Sequence, residues 1–161
     1  MRPQTVAISL SKSISYKTYC PTCVYHLYYL VVLPTRRGVV QRLFIESLIF
    51  TSLVEAENDK DLLGRVQQAV LTDLELSASK RDLIKGTGGF TKVRVADQKS
   101  GRGKSGGYRV IYFDLEAYER TFLFLIYPKS VKDTLTKPEI SKLKEASQEL
   151  KAWQPKQKSK K

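Results

Sequence analysis

Residues 122–126 read F-L-F-L-I, apolar at every position. A strand with one wet face alternates apolar and polar residues, because successive side chains point to opposite sides. An unbroken apolar run predicts instead a central strand covered on both faces. The rest of the chain must then supply neighbouring strands and covering layers.

Those neighbours are legible. Residues 108–115 and 121–127 read as two strands with a short connection, a hairpin. Residues 90–96 predict another strand, with Val93 and Val95 on one side and Phe90, Lys92 and Arg94 on the other. Residues 41–46 (QRLFIE) predict a first short strand. Ser47 is placed to N-cap a helix through about Ala56, burying Leu48, Phe50 or Leu53, and Val54. Asn58 or Asp59 caps a second helix to about Leu76, with Leu62, Leu63, Val66, Ala69, Val70 and Leu74 at helical spacing. Residues 136–139 (T-K-P-E) form a capping-box pattern before a last helix, whose apolar face is Ile140, Leu143, Ala146, Leu150 and Trp153. The order β-α-α-β-β-β-α predicts an α+β domain, a small antiparallel sheet with helices packed on one face.

Charge narrows the function. The chain carries 28 Lys and Arg against 16 Asp and Glu, a net +12. Residues 80–112 hold nine bases and two acids. The bases are interleaved with Phe90, Tyr108, Tyr112 and several glycines, the footprint of a surface for a polyanion, most simply nucleic acid. Lys99, Arg102, Lys104, Tyr108, Tyr112 and Lys132 are the candidate RNA-binding residues.

The ends differ from the middle. Residues 1–40 hold five bases and no acid, as do residues 151–161. The domain is therefore expected at 41–153, with 154–161 a basic tail. Residues 1–40 are expected to be an extension, disordered or outside the true gene start, which would lie near Val39 or Val40. The apolar run at 24–33 is too short for a bilayer, which takes about 20 residues. No small-x-small cleavage site follows it. No membrane association is expected, and a cytoplasmic location is. Cys20, Cys23 and His26 spell C-x-x-C-x-x-H, three zinc-type ligands without a fourth.

Several chemistries drop out. Residues 101–106 match G-x-G-x-x-G, but a strand rather than a helix follows, so a dinucleotide site is not expected. The 41–153 region contains no histidine, and the acids of residues 80–120 are not clustered for two metals. Any cleavage of nucleic acid would then use Lys, Arg and Tyr without metal or other cofactor. RNA permits this, because its 2′-hydroxyl is a built-in nucleophile.

The segments GTGGFTKVRVA (86–96), GRGKSGGYRVIY (101–112) and FLFLIYPKSVKDTLT (122–136) resemble the RelE/HigB family of bacterial toxins. The resemblance spans about residues 41–153. It implies a small toxin of a toxin–antitoxin system that enters the ribosomal A site and cleaves mRNA there. It also implies a cognate helix-turn-helix antitoxin. The family's catalytic K-x-K/R pair falls on Lys92 and Arg94, the arginine after the G-Y pair on Arg109, and the lysine ending the last strand on Lys129. The best-studied branch has an arginine after that lysine and a tyrosine several residues on, where this chain has Ser130 and Leu135. Lys132, Lys104 and Tyr112 are the residues that can stand in.

Three functions compete. The first is a metal-independent, ribosome-dependent mRNA endoribonuclease that inhibits translation. The second is a ParE-like toxin that acts on gyrase and cuts nothing. The third is a plain RNA-binding module. The basic set Lys92, Arg94 and Arg109 favours the first.

Overall fold

The computed structural model describes residues 25–35, 38–99, 101, 103, 106–132 and 134–152, with side chains from Arg42 onward. Cys20, Cys23, Arg102, Lys104, Trp153 and the 154–161 tail lie outside the described residues. The strands are β1 (Tyr25–Thr35), β2 (Gly38–Ser47), β3 (Asp82–Leu83), β4 (Thr91–Val95), β5 (Tyr108–Leu115) and β6 (Arg120–Pro128). The helices are α1 (Leu48–Ala56), α2 (Leu62–Leu74) and α3 (Lys137–Ala152). The strands form one sheet in the order β1-β2-β6-β5-β4-β3.

The α+β class and the expected succession of elements hold, and the sheet takes in an added strand at each edge. The sheet reaches back to Tyr25, where β1 pairs antiparallel with β2. Two details of the expected architecture need correction. The sheet is mixed, because β2 and β6 run parallel. Parallel neighbours need a long crossover, and here everything from α1 to β5 supplies it. Nor do the helices share one face. Residues of α1 and α2 pack with Phe44, Val110, Tyr112 and Leu123, whereas Leu143, Ala146 and Leu150 of α3 pack with Ile45, Phe90, Ile111, Phe113 and Phe122 on the other side. The apolar run of β6 explains this: a strand buried on both faces must be covered twice, and α3 is the second cover.

Local chemistry sets the helix ends. The Ser47 hydroxyl accepts from the Phe50 N–H at 3.0 Å and donates to the Phe124 carbonyl at 2.7 Å, so the cap also ties α1 to β6. At α2 the N-cap is Asp61 rather than the expected Asn58 or Asp59; it has no side-chain cap bond, and its own N–H donates to the Asp59 carboxylate at 3.1 Å. At α3 the Glu139 carboxylate accepts from both the N–H and the hydroxyl of Thr136, at 2.8 and 2.9 Å. Lys151 then donates to the Gly88 carbonyl at 2.6 Å, fastening the far end of α3 to the turn before β4. Gly88 has φ +79, and a Cβ there would meet Ser147 Oγ of α3 at 2.3 Å, so neither backbone nor packing admits a side chain.

The centre of the sheet carries one polar knot. Arg42 of β2 pairs with Asp114 of β5 and donates to Thr121 of β6 at 3.0 Å, and Thr121 donates to Asp114 at 2.8 Å. Burial raises the Asp114 carboxyl above its ordinary range, against the opposing pull of Arg42.

Glu46 of β2 is 2% exposed. It accepts from the Thr51 hydroxyl at 2.9 Å. Burial pushes its pKa from 4.5 up to about 7, with the Thr51 bond a smaller, opposing influence. Between those values the folded state keeps a proton that the unfolded chain releases. Stability from this group is therefore full below about pH 4.5 and is lost as pH rises through about 7. Glu46→Gln removes that loss. Denaturant unfolding at pH 5 and pH 8 should show the variant gaining about 1–3 kcal/mol over the parent at the higher pH only. A parent at least as stable as the variant at pH 8 contradicts this account.

Candidate functional site

The cationic residues converge on the α3 side of the sheet. Strand register brings them together. Arg94 of β4 pairs with Arg109 of β5, and Arg109 pairs with Tyr127 of β6. Lys92 lies two residues from Arg94 on the same side, opposite Ile111. Its ammonium is 3.5 Å from the Asp82 carboxylate of β3. Lys129 follows β6 directly. Its backbone N–H donates to the Gly107 carbonyl at 3.0 Å.

These residues differ in exposure. Arg94 and Lys129 are exposed, and Lys92 and Lys132 are half-buried. Arg109 is 2% exposed and forms the floor of the site rather than its surface. A cation in a water-poor floor acts on a nearby anion more strongly than the same charge in water.

Gly107 controls the register. A Cβ at this position would stand 2.1 Å from the Val95 carbonyl oxygen and 2.8 Å from the Asp97 nitrogen. The backbone of the loop thus lies directly against the end of β4. This close approach lets Tyr108 pair with Val95 and so sets Arg109 opposite Arg94.

Beyond β6 the chain turns back on itself. The N–H groups of Val131 and Lys132 donate to the Pro128 carbonyl at 3.1 and 3.5 Å. Lys132 is thereby folded over the Tyr127 ring, its ammonium 5.0 Å from the ring centre. An ion pair with Glu139 holds it there. That contact, with the Thr136 N–H, keeps the Glu139 carboxyl at about 2, well below its ordinary range. One glutamate therefore caps α3 and fixes a site lysine.

The structure does not bring every candidate to this face. Tyr108 and Tyr112 point to the α1/α2 side and are buried. Their hydroxyls donate to Glu57 and Asp73, both at 2.6 Å. Burial, reinforced by those carboxylates, raises both phenols above their ordinary value. The pleat causes this placement: both residues are an odd number of positions from Arg109. Lys99 reaches away as well, donating to the carbonyls of Glu57 at 2.9 Å and of Asn58 beyond the end of α1. Ser130 is exposed, and Leu135 packs into the α3-side core.

Tyr127 and Glu139 are site residues that sequence reasoning did not name. The hairpin 108–115/121–127 left no signal for Tyr127, because its register without a bulge sets Ile126 opposite Arg109. The described residues contain no group of three or more His, Cys, Asp or Glu able to hold a metal ion. What the arrangement offers is a cluster of buried and exposed cations beside an aromatic ring, suited to grip a phosphodiester.

Gly107→Ala tests the register argument. Displacing the loop from β4 should cost about 1–3 kcal/mol in thermal or denaturant unfolding. Cross-strand contacts between residues 94 and 109 should weaken in nuclear Overhauser spectra. An alanine variant with unchanged stability and unchanged contacts counts against it.

Compared with known protein families, residues 59–160 match the RelE toxin of the RelE/RelB toxin–antitoxin system. The matched region runs from just before α2 to beyond α3 and contains every residue of the cationic face.

Proposed function

This chain belongs to the RelE toxin family, so it is the toxin of a toxin–antitoxin pair with a cognate antitoxin, and from that premise we propose that it is a ribosome-dependent mRNA endoribonuclease. The observation that carries the reading is the strand register that sets Arg94 opposite Arg109, beside Lys92 and Tyr127. The proposed place of action is the ribosomal A site, in the cytoplasm, and the proposed antitoxin carries a helix-turn-helix.

The proposed reaction needs no metal. The 2′-hydroxyl oxygen of one nucleotide attacks the adjacent phosphorus while the bond from phosphorus to the 5′ oxygen breaks. Lys92 is the proposed general base for the 2′-hydroxyl proton. Arg94 and Arg109 stabilise the charge on the phosphorane. Lys129 gives a proton to the leaving 5′ oxygen. Lys132, held by Glu139, secures the RNA strand near Tyr127. The products are a 2′,3′-cyclic phosphate and a 5′-hydroxyl.

Toeprinting on programmed ribosomes tests the reading. A-site cuts that persist without added catalytic metal and end in a 2′,3′-cyclic phosphate are expected. Arg109→Ala should lower the single-turnover rate by roughly 10²- to 10³-fold. Lys92→Ala should lower it by roughly 10²- to 10⁴-fold. Removal of residues 154–161 should weaken ribosome association mildly, and most at low salt. No cleavage, together with inhibition of gyrase supercoiling, moves the protein to the ParE-like reading. RNA binding without either activity leaves only a binding module.

A further inference from the structure

A groove of about 320 Å³ opens where α1, the α1–α2 connection and the first turn of α2 meet over β2. Glu46 is its floor, Thr51, Val54 and Glu55 line it from α1, and Leu63 lines it from α2. The groove lies on the α1/α2 side of the sheet, away from the cationic face. Its floor and its α1 wall precede residue 59, where the family match begins.

Glu46 is built into the fold yet incompletely bonded. The residue is 2% exposed. One carboxylate oxygen accepts from Thr51 at 2.9 Å. The other is buried without a hydrogen-bond partner among the described residues. Buried polar atoms are ordinarily paired, and each exception calls for a reason. Of the other acids lining the groove, Asp59 is engaged by Arg65 at 2.6 Å, while Glu55 stands exposed at the mouth and Lys60 at the rim.

The lining selects a class of ligand. No group of three metal-type ligands exists among the described residues, so a divalent ion is not matched. A buried carboxylate below apolar walls suits an alkyl chain that ends in a cation. A guanidinium fits better than an ammonium, because it is more weakly hydrated and its planar donors match a carboxylate. Charge points the same way. Residues 46–76 hold seven acids and two bases, whereas the rest of the chain holds 26 bases and nine acids. A basic partner segment is repelled by most of this protein and attracted to this layer.

We propose that the groove is a docking pocket for one arginine side chain of a partner protein, its guanidinium directed at the Glu46 carboxylate and its methylenes lying along Val54 and Leu63. The proposal does not rest on the RNA-cleavage reading and stands or falls separately from it.

The test uses the full-length protein with labelled valine and leucine methyl groups. Three probes are titrated at pH 8: the blocked tripeptide acetyl-Ala-Arg-Ala-methylamide, the same peptide with neutral citrulline replacing arginine, and spermidine. The arginine peptide should give saturable shifts at Val54 and Leu63, and citrulline should weaken them at least tenfold. Glu46→Gln, which keeps an acceptor for Thr51, should abolish the preference for arginine. Should that variant not fold, Glu55→Gln is the second probe and should weaken the arginine peptide several-fold. Absence of saturable shifts, equal binding of the two peptides, or undiminished preference in the glutamine variants overturns the pocket. Tighter binding of spermidine than of the arginine peptide overturns its assignment to a partner chain.

Discussion

Strand β5 serves two cores at once, and the rest of the molecule is arranged around that alternation. Tyr108, Val110 and Tyr112 enter the core under α1 and α2, while Ile111 and Phe113 enter the core under α3. Arg109 falls on the α3 side of the same pleat. A slip of one residue would carry the arginine into the α1/α2 core and expose both apolar sets to the wrong layer. The register is therefore enforced from both sides. Gly107 against β4 and the Arg42–Thr121–Asp114 knot across β2, β6 and β5 pin it at its two ends.

Much of this could be read before any coordinates. The α1 cap at Ser47, the T-K-P-E start of α3 and the 108–115/121–127 hairpin each rest on local chemistry that the sequence states outright. The placement of Lys92 and Arg94 on one side of β4 follows from simple alternation, and the structure agrees. The parallel neighbour of β6 was not legible, since strand pairing over so long a separation leaves no local pattern. Nor was the side taken by α3, although the doubly apolar β6 implied that something had to cover its second face.

Tyr127 shows most clearly where sequence reasoning stopped. Pairing of β5 with β6 runs Tyr112 with Leu123, then Ile111 with Leu125, so Phe124 is an extra residue in the ladder. Without that bulge Arg109 would face Ile126. A bulge reveals itself in sequence only when it breaks an apolar–polar alternation, and the run F-L-F-L-I has none to break. Tyr108 and Tyr112 failed to join the face for a related reason. Aromatic residues between basic ones look alike whether they stack on a ligand or fill a core, and only the phase of the pleat separates the two. Their donor bonds to Glu57 and Asp73 depend on α1 and α2 lying above them, which is a tertiary fact.

The burial of Arg109 has a kinetic and entropic consequence. A long basic side chain on a surface samples many rotamers and loses that freedom when it grips an anion, at a cost of about 0.5–1.5 kcal/mol per side chain. Arg109 is already immobilised between β4 and β6 before any ligand arrives. Its ordering is completed during folding, so an anion that reaches it meets a fixed charge. The cations around it, Arg94 and Lys129, stand exposed to solvent. Such a pairing of one buried charge with two exposed ones lets capture be loose and alignment be strict.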